Sequence, residues 1–255
     1  VSLQVQITEF GIDQKIMLVR DVTERKRVET MRQDFIADVS HELRTPLTVI
    51  NGYLEMLSDM DTPAPLSKAL AQMDSQANRM TNLVNDLIQL SKLESASRER
   101  DGVSFDLTAL CHQVAGEMKG YSGDAEVRIN TERSLIVDGF KEEMHSALTN
   151  LVTNAIKYGD GKQVDIDIAP SDRGIEVAVT DQGPGIPPEH LSRVTERFYR
   201  VDESRESTVG GSGLGLSIVK HALEHHDAEL KIESALGQGS TFSFVIPSFR
   251  RENNA

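Results

Sequence analysis

The sequence lacks the features that mark secreted, membrane-spanning and nucleic-acid-binding proteins. Cys111 is the only cysteine in 255 residues, which excludes an intrachain disulfide and fits a reducing compartment. No run of about 18 apolar residues occurs, so we expect no segment of this chain to span a bilayer. Basic residues are scarce, with 27 Lys+Arg against 40 Asp+Glu and a net charge of −13. Since binding to DNA or RNA needs a basic surface, no nucleic-acid partner is expected.

Residues 1–20 predict a β-hairpin. Apolar Leu3, Val5 and Ile7 alternate with polar residues, and Gly11 marks a turn before a second alternating run. A lone hairpin is marginally stable in water. Because the chain opens inside a strand and does not begin with Met, we expect a fragment whose hairpin is the end of a larger sheet.

Two helices are predicted next. From about Glu24 apolar residues recur every three or four positions, until Pro63 and Pro65 in the segment MDTPAP stop the pattern. The second helix has a heptad seam, formed by Leu66, Leu70, Met73, Ala77, Met80, Val84 and Leu87. Such a seam favours antiparallel packing, and two helices alone would leave the stripe half covered. We therefore predict a homodimeric four-helix bundle, with a self-contained helical hairpin as the alternative.

Beyond Val103 helical and strand patterns are mixed. Helices are predicted near Leu107–Lys119, Lys141–Tyr158 and Leu214–His226. Strands are predicted near Val127–Ile129, Leu135–Val137, Val164–Ile168, Ile175–Thr180, Leu230–Ser234 and Thr241–Ile246. Helices on one face of a mixed sheet give a two-layer α/β sandwich. The predicted fold class is α+β, a dimerising helical hairpin followed by this sandwich.

The sequence DVSHELRTPLT, residues 38–48, distinguishes the first helix. It places His41 on the outer face, next to Glu42 and one turn before Thr45. Pro46 has no N–H to donate and its ring crowds the carbonyl of Glu42, so a bend is expected one turn beyond the histidine. An exposed imidazole beside a carboxylate at a kink suits a nucleophile better than a packing residue.

A polar stripe lies on the helix that contains NLVTNAIKY. Asn150 and Asn154 are four residues apart and share a face, which Lys157 and Tyr158 continue. Amide oxygens suit Mg²⁺, which takes few protein ligands plus substrate phosphates. Lys157 can contact phosphate, and Tyr158 offers a flat face to a base. The alternative for either asparagine alone is a solvated surface.

Two glycine-containing turns complete the pattern. In DQGPGI, Asp181 at a strand end can accept a hydrogen bond from an exocyclic amine such as adenine N6, while Gly183 and Gly185 allow close approach to a flat ligand. In GGSGLGLSIVK, glycines precede a helix whose free N–H groups can bind phosphate. The residues of this turn are Gly210, Gly211, Gly213, Leu214 and Gly215. Its spacing matches neither the dinucleotide fingerprint nor the P-loop.

Between these turns, RFYRVDESRESTVG predicts a mobile lid anchored by Phe198 and Tyr199. Arg197 and Arg200 are equally compatible with contact to phosphate and with solvation.

Three histidines crowd the following helix, at His221, His225 and His226. The first two have the spacing of a metal-ligand pair, but the sequence supplies no third ligand, so a solvated helix face is expected.

HELRTPLT, NLVTNAIKY, DQGPGI, RFYR and GGSGLGL, in this order, resemble the H, N, G1, F and G2 boxes of sensor histidine kinases. The match covers roughly residues 29–247, and FIADVSHELRTPLTVINGYLEML resembles the phosphate-regulon branch of that family. The resemblance implies a PAS-type sensor remnant at 1–23, a dimerisation and phosphotransfer hairpin at 24–98, and a GHKL-type ATP-binding domain at 103–248. It also implies upstream membrane helices, which would make this fragment the cytoplasmic portion of an inner-membrane protein.

The same resemblance implies the chemistry. His41 would be phosphorylated by ATP, Glu42 would orient its ring and take a proton, and Thr45 would position water for a phosphatase reaction. Mg²⁺ would be held by Asn154 with Asn150. An aspartate of a response regulator of the phosphate-regulon type would receive the phosphoryl group. The nucleotide would contact Asn150, Asn154, Lys157, Tyr158, Asp181, Gly183, Gly185, Phe198, Arg200, Gly211, Gly213, Leu214 and Gly215.

Two other classes of protein share part of this pattern. One is a catalytically silent nucleotide-binding scaffold that dimerises through its hairpin, and the other is an ATPase of the same sandwich class that works by clamp motion. The intact boxes argue against the first class, and HELRTP on a bundle helix argues against the second.

Overall fold

The computed structural model describes residues 3–9, 15–23, 43, 47–48, 50–55, 57, 64–95, 102–119, 125–131, 133–159, 161, 163–201 and 212–247. The predicted site residues His41, Glu42, Thr45 and Gly211 lie outside these ranges, as do Pro46 and Gly210. Within the described ranges, no helix combines the length and the apolar character needed to cross a membrane.

The N-terminal β-hairpin is confirmed. Strand β1 (Leu3–Glu9) pairs antiparallel with β2 (Lys15–Asp21), and Val5 lies opposite Val19. Apolar side chains on both strands are about half exposed, with Val5 at 52% and Ile7 at 61%. The hairpin therefore leaves apolar surface uncovered within this chain.

A 32-residue helix, α1 (Ala64–Ser95), confirms the second predicted helix. Pro65 lies in the first turn of α1, where a missing N–H removes no intrahelical hydrogen bond. This proline is therefore part of the start of α1 as well as the end of the preceding pattern. Residues 50–55 are helical too, and Leu54 packs with Leu70 and Ala77 in a separate small core.

The heptad seam of α1 is covered on one side only. Leu70, Ala77 and Val84, spaced by seven residues, are buried at 5%, 5% and 2% exposure. Leu66, Met73 and Met80, spaced in the same way, are 50%, 60% and 49% exposed. One row of the seam thus packs within the chain, and the other row faces outward.

The remaining elements form the sandwich. They are β3 (Val103–Asp106), α2 (Leu107–Met118), β4 (Val127–Asn130), β5 (Ile136–Gly139), α3 (Lys141–Tyr158), β6 (Val164–Ser171), β7 (Gly174–Asp181), α4 (Pro188–Leu191), α5 (Gly215–Glu224), β8 (Lys231–Ala235) and β9 (Gly239–Pro247). The predicted helices and strands are confirmed, with small differences at their ends. Strand β3 was not predicted, because its four residues are too few for a clear alternation. It pairs with β5, and Asp106 caps α2 by accepting a hydrogen bond from the Ala109 N–H at 3.0 Å.

The main sheet has the strand order β4-β6-β7-β9-β8, and only β4 and β6 run parallel. Along β7, Val177 and Val179 are fully buried, while Glu176 between the inward-facing residues is exposed. This alternation is expected of a sheet with one face under helices and one in water. Buried residues of α2, α3 and α5 join the inward side chains in one core, which confirms the two-layer sandwich.

The C-terminal end of α1 belongs to the same core. Leu90 and Leu93 are 3% and 4% exposed and pack with the sandwich residues. The hairpin helix and the sandwich are therefore in direct contact.

Candidate nucleotide site

Helix α3 presents the asparagine stripe to the start of α5. The Asn150 amide nitrogen donates to the Ser146 carbonyl at 3.0 Å, which fixes the orientation of the amide. Its oxygen lies 2.7 Å from the position that a Cβ on Gly215 would take. A larger residue there would have to displace the Asn150 side chain, so the first residue of α5 lies directly beside the predicted Mg²⁺ ligand. Asn154 and Lys157 follow on α3, half-buried, and Tyr158 is 44% exposed.

Asp181 ends β7 and is 4% exposed. Its carboxylate accepts a hydrogen bond from the Gly183 N–H at 2.8 Å. Burial raises the pKa of Asp181, and the backbone N–H groups of Gly183 and Ser240 oppose that shift. A buried carboxylate at the C-terminal end of the central strand β7 is thus held as a hydrogen-bond acceptor.

Packing within the protein itself requires glycine at both glycine positions of DQGPG. A Cβ on Gly183 would stand 2.1 Å from the Tyr158 carbonyl oxygen. Gly185 has φ +76°, and a Cβ there would stand 2.2 Å from the Ala235 carbonyl oxygen. We predicted close approach to a ligand. The structure shows close approach to the ends of α3 and β8, which fixes the turn next to Asp181.

The RFYR segment is joined to the second glycine turn. Phe198, in the left-handed region at φ 62°, donates its N–H to the Gly213 carbonyl at 2.9 Å. Tyr199 is the anchor of the segment: its hydroxyl is hydrogen-bonded to Nδ1 of His190, and the Arg193 guanidinium lies 4.2 Å from its ring centroid. The Phe198 side chain is 56% exposed, so only Tyr199 fulfils the anchoring role that we predicted for both aromatic residues.

The two arginines of RFYR differ in their surroundings. Arg197 forms an ion pair with Glu94 on α1, which is neither of the two alternatives left open by the sequence. Arg200 is half-buried at the end of the segment. Leu214, fully buried, immediately precedes α5 and anchors the second glycine turn in the core.

The predicted solvated face is wrong for two of the three histidines, His225 and His226. His226 is 5% exposed, donates from Nδ1 to the Ala222 carbonyl and accepts at Nε2 from the Phe140 N–H, at 2.7 and 2.9 Å. His225 pairs with Glu143 at 2.7 Å, and its side chain is 9% exposed. These two residues fasten the end of α5 to the start of α3. Sequence spacing could not show this, because the partners lie about 80 residues earlier.

Sequence reasoning also missed the part that α1 plays at the site. The carboxylate of Asp86 accepts a hydrogen bond from the Ser212 hydroxyl at 2.5 Å. A cleft between α1 and the sandwich is lined by Leu87, Leu90, Ser91, Glu94, Arg197, Phe198 and Leu214. The periodicity of α1 marks Asp86 as a position off the seam, and nothing local indicates which surface it meets.

Comparison with known proteins agrees with this architecture. The family model for the "Histidine kinase-, DNA gyrase B-, and HSP90-like ATPase" matches residues 139–250, and the model for the "His Kinase A (phospho-acceptor) domain" matches residues 31–96. The phosphate regulon sensor protein PhoR of Pseudomonas aeruginosa is 47% identical over 246 residues, or 94% of this chain and 56% of that protein.

Solved structures give the same result. Full-length ShkA in complex with AMPPNP aligns with a TM-score of 0.65 at 26% identity, covering 84% of this chain and 45% of that one. The mycobacterial sensor histidine kinase MprB aligns with a TM-score of 0.51 at 30% identity, covering 57% of this chain and 97% of that one.

A phosphoacceptor-type hairpin followed by an ATPase-type sandwich defines the class, and the chain belongs to the sensor histidine kinases. Within that family it is similar to phosphate regulon sensor proteins PhoR. The chain spans about half the length of the curated relatives that it matches, 56% in the case of the Pseudomonas protein.

Proposed function

We propose that this chain is an ATP-dependent protein-histidine kinase that phosphorylates its own His41 and passes the phosphoryl group to an aspartate of a response regulator. The observation that carries the proposal is the buried Asp181 carboxylate, which is held by the Gly183 N–H of the DQGPG turn beside the end of α3. This arrangement offers an acceptor to the exocyclic amine of adenine at one end of the site. The N–H groups at the start of α5, with Gly213 and Gly215, would meet phosphates at the other end of the site, and the sequence motif assigns Gly211 to the same role.

The asparagine pair fits Mg²⁺. Since the Asn150 nitrogen is committed to the Ser146 carbonyl, its oxygen is the atom that remains for a cation. Asn154 and Asn150 would hold Mg²⁺, which would neutralise phosphate charge when bound. Lys157 and Arg200 would contact phosphate. Tyr158 and Phe198 would contact the nucleotide through their apolar surfaces. The side chain of Leu214 is fully buried, so this residue would meet the nucleotide only through the backbone of the glycine turn.

At the acceptor, an imidazole nitrogen of His41 forms the new bond to the γ-phosphorus while the bond to the bridging oxygen of ADP breaks. Glu42 takes the proton from the other ring nitrogen. The phosphoryl group then moves from His41 to the regulator's aspartate, and Thr45 positions water for hydrolysis of the phosphorylated regulator. This assignment rests on the HELRTP motif and on the match to the phosphoacceptor family model.

We further propose a homodimer built through the hairpin. The exposed row Leu66, Met73 and Met80 leaves apolar surface along α1 that a second copy would cover. Residues 24–98 would form this phosphotransfer hairpin and 103–248 the ATP-binding domain. Residues 1–23 would end a sensor domain of a longer, membrane-anchored protein.

The relationship to PhoR supports a regulator of the phosphate regulon as the partner, and hence a role in phosphate-starvation signalling. Phosphotransfer from the labelled kinase to a panel of receiver domains tests this point. A clear kinetic preference for the phosphate-regulon regulator is expected, and a flat profile would contradict it.

Incubation with Mg²⁺ and γ-labelled ATP tests the central proposal. We expect acid-labile phosphate on the wild-type chain and on His112→Gln, which alters an exposed histidine of α2. No label is expected on His41→Gln. Label on His41→Gln would refute the acceptor assignment, and ATP binding without any labelled protein would favour the catalytically silent scaffold.

A further inference from the structure

The last turns of α1 are fastened to the sandwich by polar contacts around the buried Leu90 and Leu93. The amide of Gln89 donates to the hydroxyl of Ser146, whose carbonyl also orients Asn150. One turn further along, Glu94 pairs with Arg197 of the RFYR segment. Helix α1 therefore touches the same side chains that shape the proposed nucleotide site.

Asp86 reaches furthest into that site. Its carboxylate accepts from the Ser212 hydroxyl at 2.5 Å, and the oxygen of that hydroxyl accepts from the Leu214 N–H at 3.1 Å. Ser212 and Leu214 belong to the glycine turn that leads into α5. A carboxylate from the hairpin helix is thus hydrogen-bonded to the turn whose geometry is suited to phosphate.

Lys157 acts on the same carboxylate. Burial raises the pKa of Asp86, whereas the Ser212 hydrogen bond and the positive charge of Lys157 lower it. Lys157 is the basic residue of the asparagine stripe, which we assign to a phosphate of the nucleotide. One anionic group is therefore already hydrogen-bonded to the hydroxyl and is influenced by the positive charge of the lysine that a polyphosphate would need.

We infer that Asp86 sets the nucleotide affinity of this kinase by competing with the nucleotide's phosphates for the Ser212 turn and Lys157. The inference rests on the proposed function of the same site. Coupling between two binding events is reciprocal. The contact between α1 and the sandwich weakens nucleotide binding, so bound nucleotide must weaken this contact to the same degree. Docking of α1 through Asp86 and binding of a polyphosphate then weaken each other.

Asp86→Asn in the full chain tests the inference. Asparagine keeps the shape and can still accept from Ser212, so only the charge is removed. Asp74→Asn is the matched control, because Asp74 lies on α1 with its carboxylate hydrogen-bonded to Asn78. It stands about 18 Å from Asp86 along the helix axis. Calorimetric titration with Mg²⁺ and either AMPPNP or ADP gives the affinities.

We expect Asp86→Asn to bind AMPPNP at least about fivefold more tightly than wild type, with a smaller gain for ADP, which carries one phosphate less. Asp74→Asn should match wild type within about twofold. Hydrogen exchange supplies the reciprocal readout: AMPPNP should speed exchange of the amides of residues 84–95 in wild type. Without nucleotide, Asp86→Asn should already show the faster exchange.

A failure of the competition and a failure of the proposed kinase function give different binding results. Normal AMPPNP binding by wild type with unchanged or weaker binding by Asp86→Asn overturns the competition and leaves the kinase proposal intact. An equal gain in Asp74→Asn overturns it as well, since the effect would then be general electrostatics. If neither wild type nor Asp86→Asn binds AMPPNP or ADP, the proposed function falls, and the inference falls with it.

Discussion

Gly185 and Gly237 offer a comparison that separates backbone strain from steric exclusion at the edge of the site. Both residues have φ +76°. A Cβ on Gly237 meets no atom within 4 Å, whereas one on Gly185 would lie 2.2 Å from the Ala235 carbonyl oxygen. Alanine at either position must adopt the unfavourable left-handed conformation. Only alanine at position 185 must also displace backbone atoms, those of Ala235.

The expected free-energy losses follow from these contacts. The left-handed conformation costs a non-glycine residue about 1–2 kcal/mol, and the lower backbone entropy of the unfolded alanine variant offsets part of this in both variants. Forcing a methyl group into a closed contact costs about 1–3 kcal/mol more. Gly185→Ala should therefore be less stable than Gly237→Ala by about 1–3 kcal/mol.

Urea unfolding followed by circular dichroism measures this difference, because the chain has no tryptophan to serve as a fluorescent reporter. Gly185→Ala should also bind ADP more weakly, since the turn it disrupts carries Asp181. Equal stability of the two variants would refute the reasoning, because it would show that the contact with Ala235 relaxes without cost.

Two further predictions concern buried ionisable groups. Burial lowers the pKa of His226 below its usual 6.5, so the unfolded chain binds more protons than the folded chain. The contribution of neutral His226 to stability is therefore complete above about pH 6.5. It is lost as the pH falls below that value. As the pH is lowered from about 7.5 to about 5.5, the urea concentration at the unfolding midpoint should fall less in His226→Gln than in wild type or His112→Gln. An equal fall in all three proteins would contradict this. Asp181→Asn should weaken ADP binding roughly tenfold or more, because it removes a charged acceptor. Calorimetric titration of both variants with ADP is the check, with Asp172→Asn as the control because Asp172 lies in an exposed turn. Equal ADP affinities of the two variants would show that Asp181 does not contact the base.

The sequence by itself determined the order and type of most of the described elements, with the short β3 and α4 as exceptions. Helix α3 begins and ends where its periodicity predicts, at Lys141 and Tyr158, because that segment has an unbroken apolar stripe and Gly159 directly after it. The strands of the main sheet were recognised because one face is buried and the other is in water, which produces alternation. Asp181 was assigned from its place at the end of such a strand.

Contacts between distant segments were decided only by the tertiary structure. His226 looked like a surface residue because its partner, the Phe140 N–H, is 86 residues away in sequence and is brought near by the packing of α5 against α3. Gly183 and Gly185 were recognised as necessary, but that they face carbonyl oxygens of Tyr158 and Ala235 depends on how the turn meets α3 and β8.

Asp86 shows the difference most clearly. On an isolated amphipathic helix it is one of many polar residues off the seam, and helical periodicity assigns it to solvent. Its contact with Ser212 exists because Leu90 and Leu93, one to two turns further on, are buried in the sandwich core and bring that face of α1 against the glycine turn. Local patterns in the sequence thus determined most elements, and the burial of side chains between elements decided which polar groups meet.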